Sequence, residues 1–320
     1  MSGTIEDKLI RFKPFRFCVA FLQRIVLPGF EGMSLYNLVR TYLTGIIEGA
    51  FSARAGAIAF SFFMAIFPAL LFLLNLIPYV PVEDFQDKFL SFIYDLMPEQ
   101  SVAFFKPVLT DISQTPRGGL LSFVGILALF LMANGVNAIF SGFEHSFHIE
   151  INRGFIRQYF VAVGVSIILA LLLLTTIVVI IYFEYMLNEL RDIDLMSNTT
   201  DIKLVGIGSY VFFVIMIYST VATLYYFGTR EGRQNRFFSA GAVMTTALIL
   251  LTTYLFGIYI DNFSNYNELY GSIGALLIMM LYIWLNSNLL LLGFELNASL
   301  QKLRVNQQLK INTNPNTNKQ

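Results

Sequence analysis

The chain has 320 residues, of which 56% are hydrophobic and only 13% charged, with 32 Phe and a formal net charge of zero. A soluble domain is about one quarter charged, so this composition excludes an ordinary water-soluble fold. Cys18 is the only cysteine, which excludes an intramolecular disulfide.

The segment 1–54 is basic and is read as a cytoplasmic N-terminal segment. Its apolar stretch around Phe17 to Leu22 is broken by Gln23 and Arg24, so no cleavable signal peptide is expected. Leu35, Leu38, Tyr42, Ile46 and Ala50 then recur at helical spacing. This pattern predicts an amphipathic helix lying on the membrane surface and leading through Arg54 into the first span.

Six runs of 22 to 26 residues follow, at 55–80, 119–140, 159–183, 205–228, 237–260 and 272–297. Each is long enough to cross a hydrocarbon core of about 30 Å at 1.5 Å per residue. The fold class is therefore all-α: a polytopic membrane protein with six transmembrane helices plus amphipathic surface helices. The transmembrane domain occupies 55–300. Span one carries Pro68, which removes a backbone donor and predicts a kink near Met64, and also Asn75. After it, Phe85, Phe89, Phe92 and Leu96 form one stripe of a second amphipathic segment, 82–97, inside the loop 81–118.

Span two holds Asn134 and Asn137 on one face and runs into F-E-H-S-F-H-I-E-I-N-R, residues 143 to 153. His145 and His148 are the only histidines, three apart, with Glu144 and Glu150 beside them. That spacing places both imidazoles on one helix face, but a zinc site recruits three or four protein ligands and neither H-E-x-x-H nor a cysteine pattern is present. The metal reading is disfavoured against a polar interface turn, in which Phe143 and Phe147 dip toward lipid. Arg153 and Arg157 read as topology anchors or lipid-headgroup contacts.

Span six gathers Asn286, Ser287, Asn288 and the single ionisable acid or base within the six runs, Glu295. A charge deep in lipid costs about 2.5–3.5 kcal/mol, so Glu295 is expected to find a partner, with Arg54 and Arg230 the candidates. Two readings stand for it: a gate or substrate contact, or a structural ion pair pinning the helix end. Asn75, Asn134, Asn137, Asn286, Asn288 and Glu295 are the candidate lining of a polar cavity, against the simpler reading of the amides as hydrogen-bonding glue between helices. From 301 to 320 the chain is a polar tail, expected to be disordered at its end.

Lysine and arginine set the expected orientation. Sixteen of the 21 lie in the N-terminal segment, the loops after spans two and four, and the tail, whereas the alternate loops hold 13 of the 21 acidic residues. Both termini are thus expected in the cytoplasm.

Three stretches also resemble one family. They are A-R-A-G-A-I-A-F-S-F-F-M-A-I-F-P from Ala53, the histidine region through Arg157, and Tyr270 to Ala298 with Tyr270-Gly271-Ser272, Trp284 and Gly293-x-Glu295-x-Asn297. Together with Gly241-Ala242 in span five, they are similar to the YihY/BrkB family of bacterial inner-membrane proteins over about residues 35 to 300. Departures stand at Ala65, where the family often has Ser, and at Glu144 and Phe147, where it commonly has Asn and Tyr. The resemblance implies a six-span inner-membrane fold and an envelope-related role without a settled activity.

The residues carry no nucleophile elbow, Walker loop or dinucleotide fingerprint. The acids are scattered, with no basic track for phosphates, so no nucleic-acid partner, no cofactor and no enzyme activity are expected. The function expected is transport or translocation of a lipid-like or small amphiphilic substrate, with membrane lipids as partners. The alternatives are an envelope-organising scaffold without transport and, third, a membrane hydrolase or ribonuclease.

Overall fold

The computed structural model describes residues 50–76, 118–144, 154–192, 199–228, 237–262 and 272–313, with single positions at 24, 34, 36, 87, 90, 106, 107 and 110. Within them run α1 (Ala50–Leu76), α2 (Gly118–Glu144), α3 (Phe155–Asp192), α4 (Thr199–Gly228), α5 (Ala240–Asn262) and α6 (Ser272–Thr313). All six are long and apolar enough to cross a membrane. In lipid every backbone polar group must be satisfied within the segment, which leaves the helix as the local solution for such runs. Hydroxyls follow the same rule. Ser61, Ser166, Thr176, Ser219, Thr220, Thr246, Thr253 and Ser287 each donate to the carbonyl four residues earlier in their own helix.

The helices match the six expected spans; most ends run past the expected ones, but α5 starts at Ala240 and not at 237, and α1 is described only as far as Leu76. α1 starts at Ala50, so Arg54 is one turn inside the helix and not in the segment before it. It continues through Pro68 to Leu76, and Phe60, Met64, Phe67 and Leu71 form its exposed ridge. α6 continues to Thr313, which makes helix of the first part of the tail. Apart from single positions, the two amphipathic surface segments lie outside the described residues, as do His145, His148, Glu150, Arg153 and Arg230.

Each helix packs on its chain neighbours and α6 packs on α1, so the six close into a ring; α2 also reaches α4 and α6. The ring is three antiparallel hairpins, α1–α2, α3–α4 and α5–α6. We call the end where α1 starts and α2 ends the base, and the opposite end the tips. Within hairpins, contact extends well toward the tips. Phe72 lies against Gly125 and Phe62 against Gly135 in the first, and Phe183 reaches Gly208 in the second. Tyr282 bonds Thr253 at 2.7 Å and packs on Phe256 in the third.

Between hairpins, contact concentrates at the base. Phe143 of α2 stacks on Phe294 of α6 with ring centroids 4.0 Å apart, and Tyr225 of α4 stands edge-on to both. Burial follows the same division. Among the residues whose burial is described, the buried ones of α3 end at Ser166, those of α4 begin at Val221, and those of α5 end at Thr246. On α6, residues 291–300 are buried without interruption, hence on every face. The first hairpin keeps buried residues out to Asn75 and Val124, and α6 has one near its start, Gly274. Among the described residues, burial is thus densest at the base and thins toward the tips outside the first hairpin.

The tightest crossing joins α5 and α6 at Gly241 and Gly293. A methyl group on Gly293 would stand 2.6 Å from the Tyr225 hydroxyl and 2.9 Å from the Gly241 carbonyl oxygen, and nearer still to Thr245 Oγ1. Backbone is part of that obstruction, so a rotamer change cannot relieve it. Gly293→Ala is expected to cost about 1–3 kcal/mol, the usual scale of overpacking, read as a lower unfolding temperature in detergent. Gly164→Ala, at a position with nothing within 4 Å of the added methyl, should leave that temperature unchanged.

Candidate functional site at the base of the bundle

A helix segment buried on all faces must satisfy every polar group it carries from neighbouring elements. The segment 291–300 of α6 reads L-L-G-F-E-L-N-A-S-L and includes Glu295 and Asn297, both buried. Their partners define the site.

Glu295 interacts electrostatically with Arg54 of α1. Arg54 is half-buried and also donates from Nη1 to the carbonyl of Gly142 at 2.9 Å. Gly142 lies in the last turn of α2, where carbonyls lack intrahelical donors and the helix dipole favours a cation. The guanidinium further rests over the Phe51 ring, 4.6 Å from its centroid. One side chain of α1 thus closes the end of α2 and neutralises the acid of α6.

Asn297 reaches the start of α5. Its Oδ1 accepts from the Gly241 amide at 2.8 Å and its Nδ2 donates to Ser239 Oγ at 3.0 Å. Ser239 caps the helix, accepting from the Ala242 amide at 3.3 Å. The cap of α5 is therefore completed in trans by a side chain 56 residues away in sequence. A third junction is Tyr225, buried, whose hydroxyl donates to the Leu290 carbonyl at 2.8 Å and lies 2.7 Å from Thr245 Oγ1. It ties α4, α5 and α6 at one level. Phe143, expected to dip toward lipid, is instead completely buried in this cluster, because the last turn of α2 faces α4 and α6.

The amides divide. Asn286 and Asn288 lie nine and seven residues tipward of Glu295, and Asn137 and Asn134 five and eight residues tipward of Gly142, all within about 14 Å along their axes. Asn75 is 21 residues from Arg54 on the same helix, about 32 Å away. It belongs to the tips, so all six polar residues cannot share one small site. Asn134 and Asn137 fall on a stripe with Phe130, which contacts Tyr159, and Ser141, which accepts from Gln158 Nε2 at 3.4 Å. They therefore face α3.

Asn75, Asn286 and Asn288 each turn Nδ2 onto the carbonyl four residues earlier. The side-chain oxygens of Asn75, Asn137 and Asn286 are buried without a partner, as is the Tyr159 hydroxyl. Among the described residues no group of three or more His, Cys, Asp and Glu could hold a metal ion. Sequence reasoning reached Arg54, Glu295, Gly293 and Asn297, but not Tyr225, Thr245 or Ser239. Those three are unremarkable in an aromatic, hydroxyl-bearing chain until two other helices meet them.

The family model described as Virulence factor BrkB matches residues 43–317. YfkH of Bacillus subtilis (strain 168), which carries a ribonuclease-like name, is 28% identical over 78% of this chain and 90% of its own length. A UPF0761 membrane protein of Tolumonas auensis is 25% identical over 80% of this chain and 82% of its own length. Another, of Psychrobacter sp. (strain PRwf-1), is 24% identical over 83% of this chain, which spans about half, 48%, of that relative. No solved structure matches the chain.

Removing one charge at the base leaves the other facing apolar surroundings. Glu295→Gln or Arg54→Gln alone should cost about 2 kcal/mol, below the 3–5 kcal/mol of a fully buried pair because Arg54 is half-buried, and the double variant should cost less than the two singles combined. Asn297→Ala should cost about 1 kcal/mol by opening the α5 cap. Unfolding in detergent micelles reads all of these.

Proposed function

The chain belongs to the BrkB family of multi-pass bacterial membrane proteins, and we propose that it translocates a lipid-like or small amphiphilic molecule through the space between its hairpins. One observation carries this reading. Among the described residues, the ring and side-chain contacts between hairpins concentrate at the base, while buried positions in α3, α4 and α5 stop well short of the tips. Helices that part in the outer half of a bilayer leave a crevice reachable both from the membrane and from water. In this reading its walls are drawn from exposed apolar side chains of these helices, such as Val211, Leu251, Leu255 and Leu277, with Tyr210 and Tyr254 among them. An amphiphile suits such walls, with its chains against aliphatic surface and its polar head toward water.

In this reading the base is the closed gate. Passage requires the Phe143–Phe294–Tyr225 cluster to separate and the Arg54–Glu295 pair to part or move as a unit. A packed, ion-paired junction favours two discrete arrangements over continuous deformation. The base and both termini face the cytoplasm of the inner membrane, by the excess of Lys and Arg on that side. No chemical step is assigned.

Proteoliposomes holding fluorescent-headgroup phospholipids, quenched from outside, test the proposal. The full chain should raise the translocation rate above protein-free vesicles. In a Cys18→Ser background, oxidising the Ser141→Cys/Gln158→Cys pair joins two hairpins at the base and should stop translocation until a reductant is added. Equal rates with and without the chain, across phospholipids and small amphiphiles, would overturn it. The ribonuclease-like name of the Bacillus subtilis relative supplies the competing reading, and cleavage of labelled RNA that co-purifies with the chain would favour it. A C-terminal tag should be protected from protease added outside intact cells.

A further inference from the structure

Away from the crevice, α3 is the least buried of the six helices. At its base-side start a shallow groove of about 630 Å³ is lined by Gly154, Ile156, Arg157 and Phe160. Ile156 and Phe160 are 72% and 73% exposed and lie one turn apart on the same ridge. Arg157 stands between them, exposed, with neither a hydrogen bond nor an ion pair from its side chain to any described residue. Ile156 also opens the membrane-length stretch Ile156–Ile180, so the groove sits where apolar span meets polar end. Tipward the ridge continues through Gly164, Ile167 and Leu171, all exposed, and Gly164 leaves open space where a side chain would stand.

We infer that this groove binds one phospholipid with a net negative headgroup, its phosphate on Arg157 and an acyl chain lying along Phe160, Gly164 and Leu171. The described lining offers one cation and no carboxylate. A zwitterionic headgroup would bring its own ammonium toward Arg157 and find no acid in the described lining to receive it, whereas an anionic headgroup supplies only the missing counter-charge. The exposed apolar ridge requires acyl cover in any case, because it faces no other described helix. The inference is independent of translocation, since the groove lies outside the crevice.

Native mass spectrometry of the full chain in detergent, titrated with phosphatidylglycerol and with phosphatidylcholine of matched chains, tests it. One phosphatidylglycerol should bind more tightly than phosphatidylcholine. Arg157→Gln should weaken phosphatidylglycerol about fivefold, the weight of one basic side chain at an anionic surface, and leave phosphatidylcholine unchanged. Arg157→Lys should retain most of the preference. Phe160→Ala should weaken both lipids alike by removing the acyl wall. Unchanged unfolding temperatures would establish that these exposed-site variants are folded. Equal affinity of wild type and Arg157→Gln for phosphatidylglycerol, or no preference between the two lipids in the wild type, would overturn the assignment.

Discussion

The base of this bundle is organised by one constraint: ten consecutive residues of α6, from Leu291 to Leu300, are buried on every face and yet include a carboxylate and an amide. Burial of unpaired polar groups is costly, and a second helix can meet only one side of a helix. Satisfying this segment therefore recruits partners from two directions. Arg54 comes from α1 to Glu295, and the start of α5 comes to Asn297. Tyr225 then arrives from α4 at the Leu290 carbonyl, where the segment begins. The connections to α6 thus follow from finding a partner for each polar group of a helix that has no lipid-facing side there.

Small residues make those partners reachable. With Gly293 facing Gly241, the backbones of α5 and α6 approach closely enough for a side-chain amide to cap a neighbouring helix directly. Gly142 similarly admits Leu291 and Ile58 beside the carbonyl that Arg54 caps. Between membrane helices, apolar burial supplies little drive because lipid is as apolar as the helix, so packing and polar bonds decide where helices meet. Here both are concentrated at the base. Toward the tips of the second and third hairpins, the contacts among the described residues lie within each hairpin, as between Phe183 and Gly208 and between Thr253 and Tyr282.

In the proposed reading, that distribution links stability to translocation. A bundle joined along its whole length would move only by breaking many contacts at once. A bundle joined at one end can rock about that end or open it as a unit, with each hairpin remaining intact. The unpartnered side-chain oxygens of Asn137 and Asn286 lie in the layer just tipward of the junction, where water or a polar headgroup would supply the missing donors. The tyrosine hydroxyl of Tyr159, without a partner on α3, extends that polar layer to the second hairpin.

Long apolar runs, in a chain with few charges, were enough to predict six helices, because a backbone in lipid has no other local way to satisfy its amides and carbonyls. The same sparsity singled out Glu295 and its candidate partner Arg54, since an acid in such a run must answer to a cation. Family-like spacing singled out Gly293 and Asn297. Tertiary structure alone decided that Phe143 is core and not lipid-facing, and that Asn297 caps α5. It alone also brought Tyr225 and Thr245 together. The reason is that hydropathy and helical period report what a residue must avoid, whereas the partner it meets depends on how three hairpins converge, and most of these positions look alike until the neighbouring helix is in place.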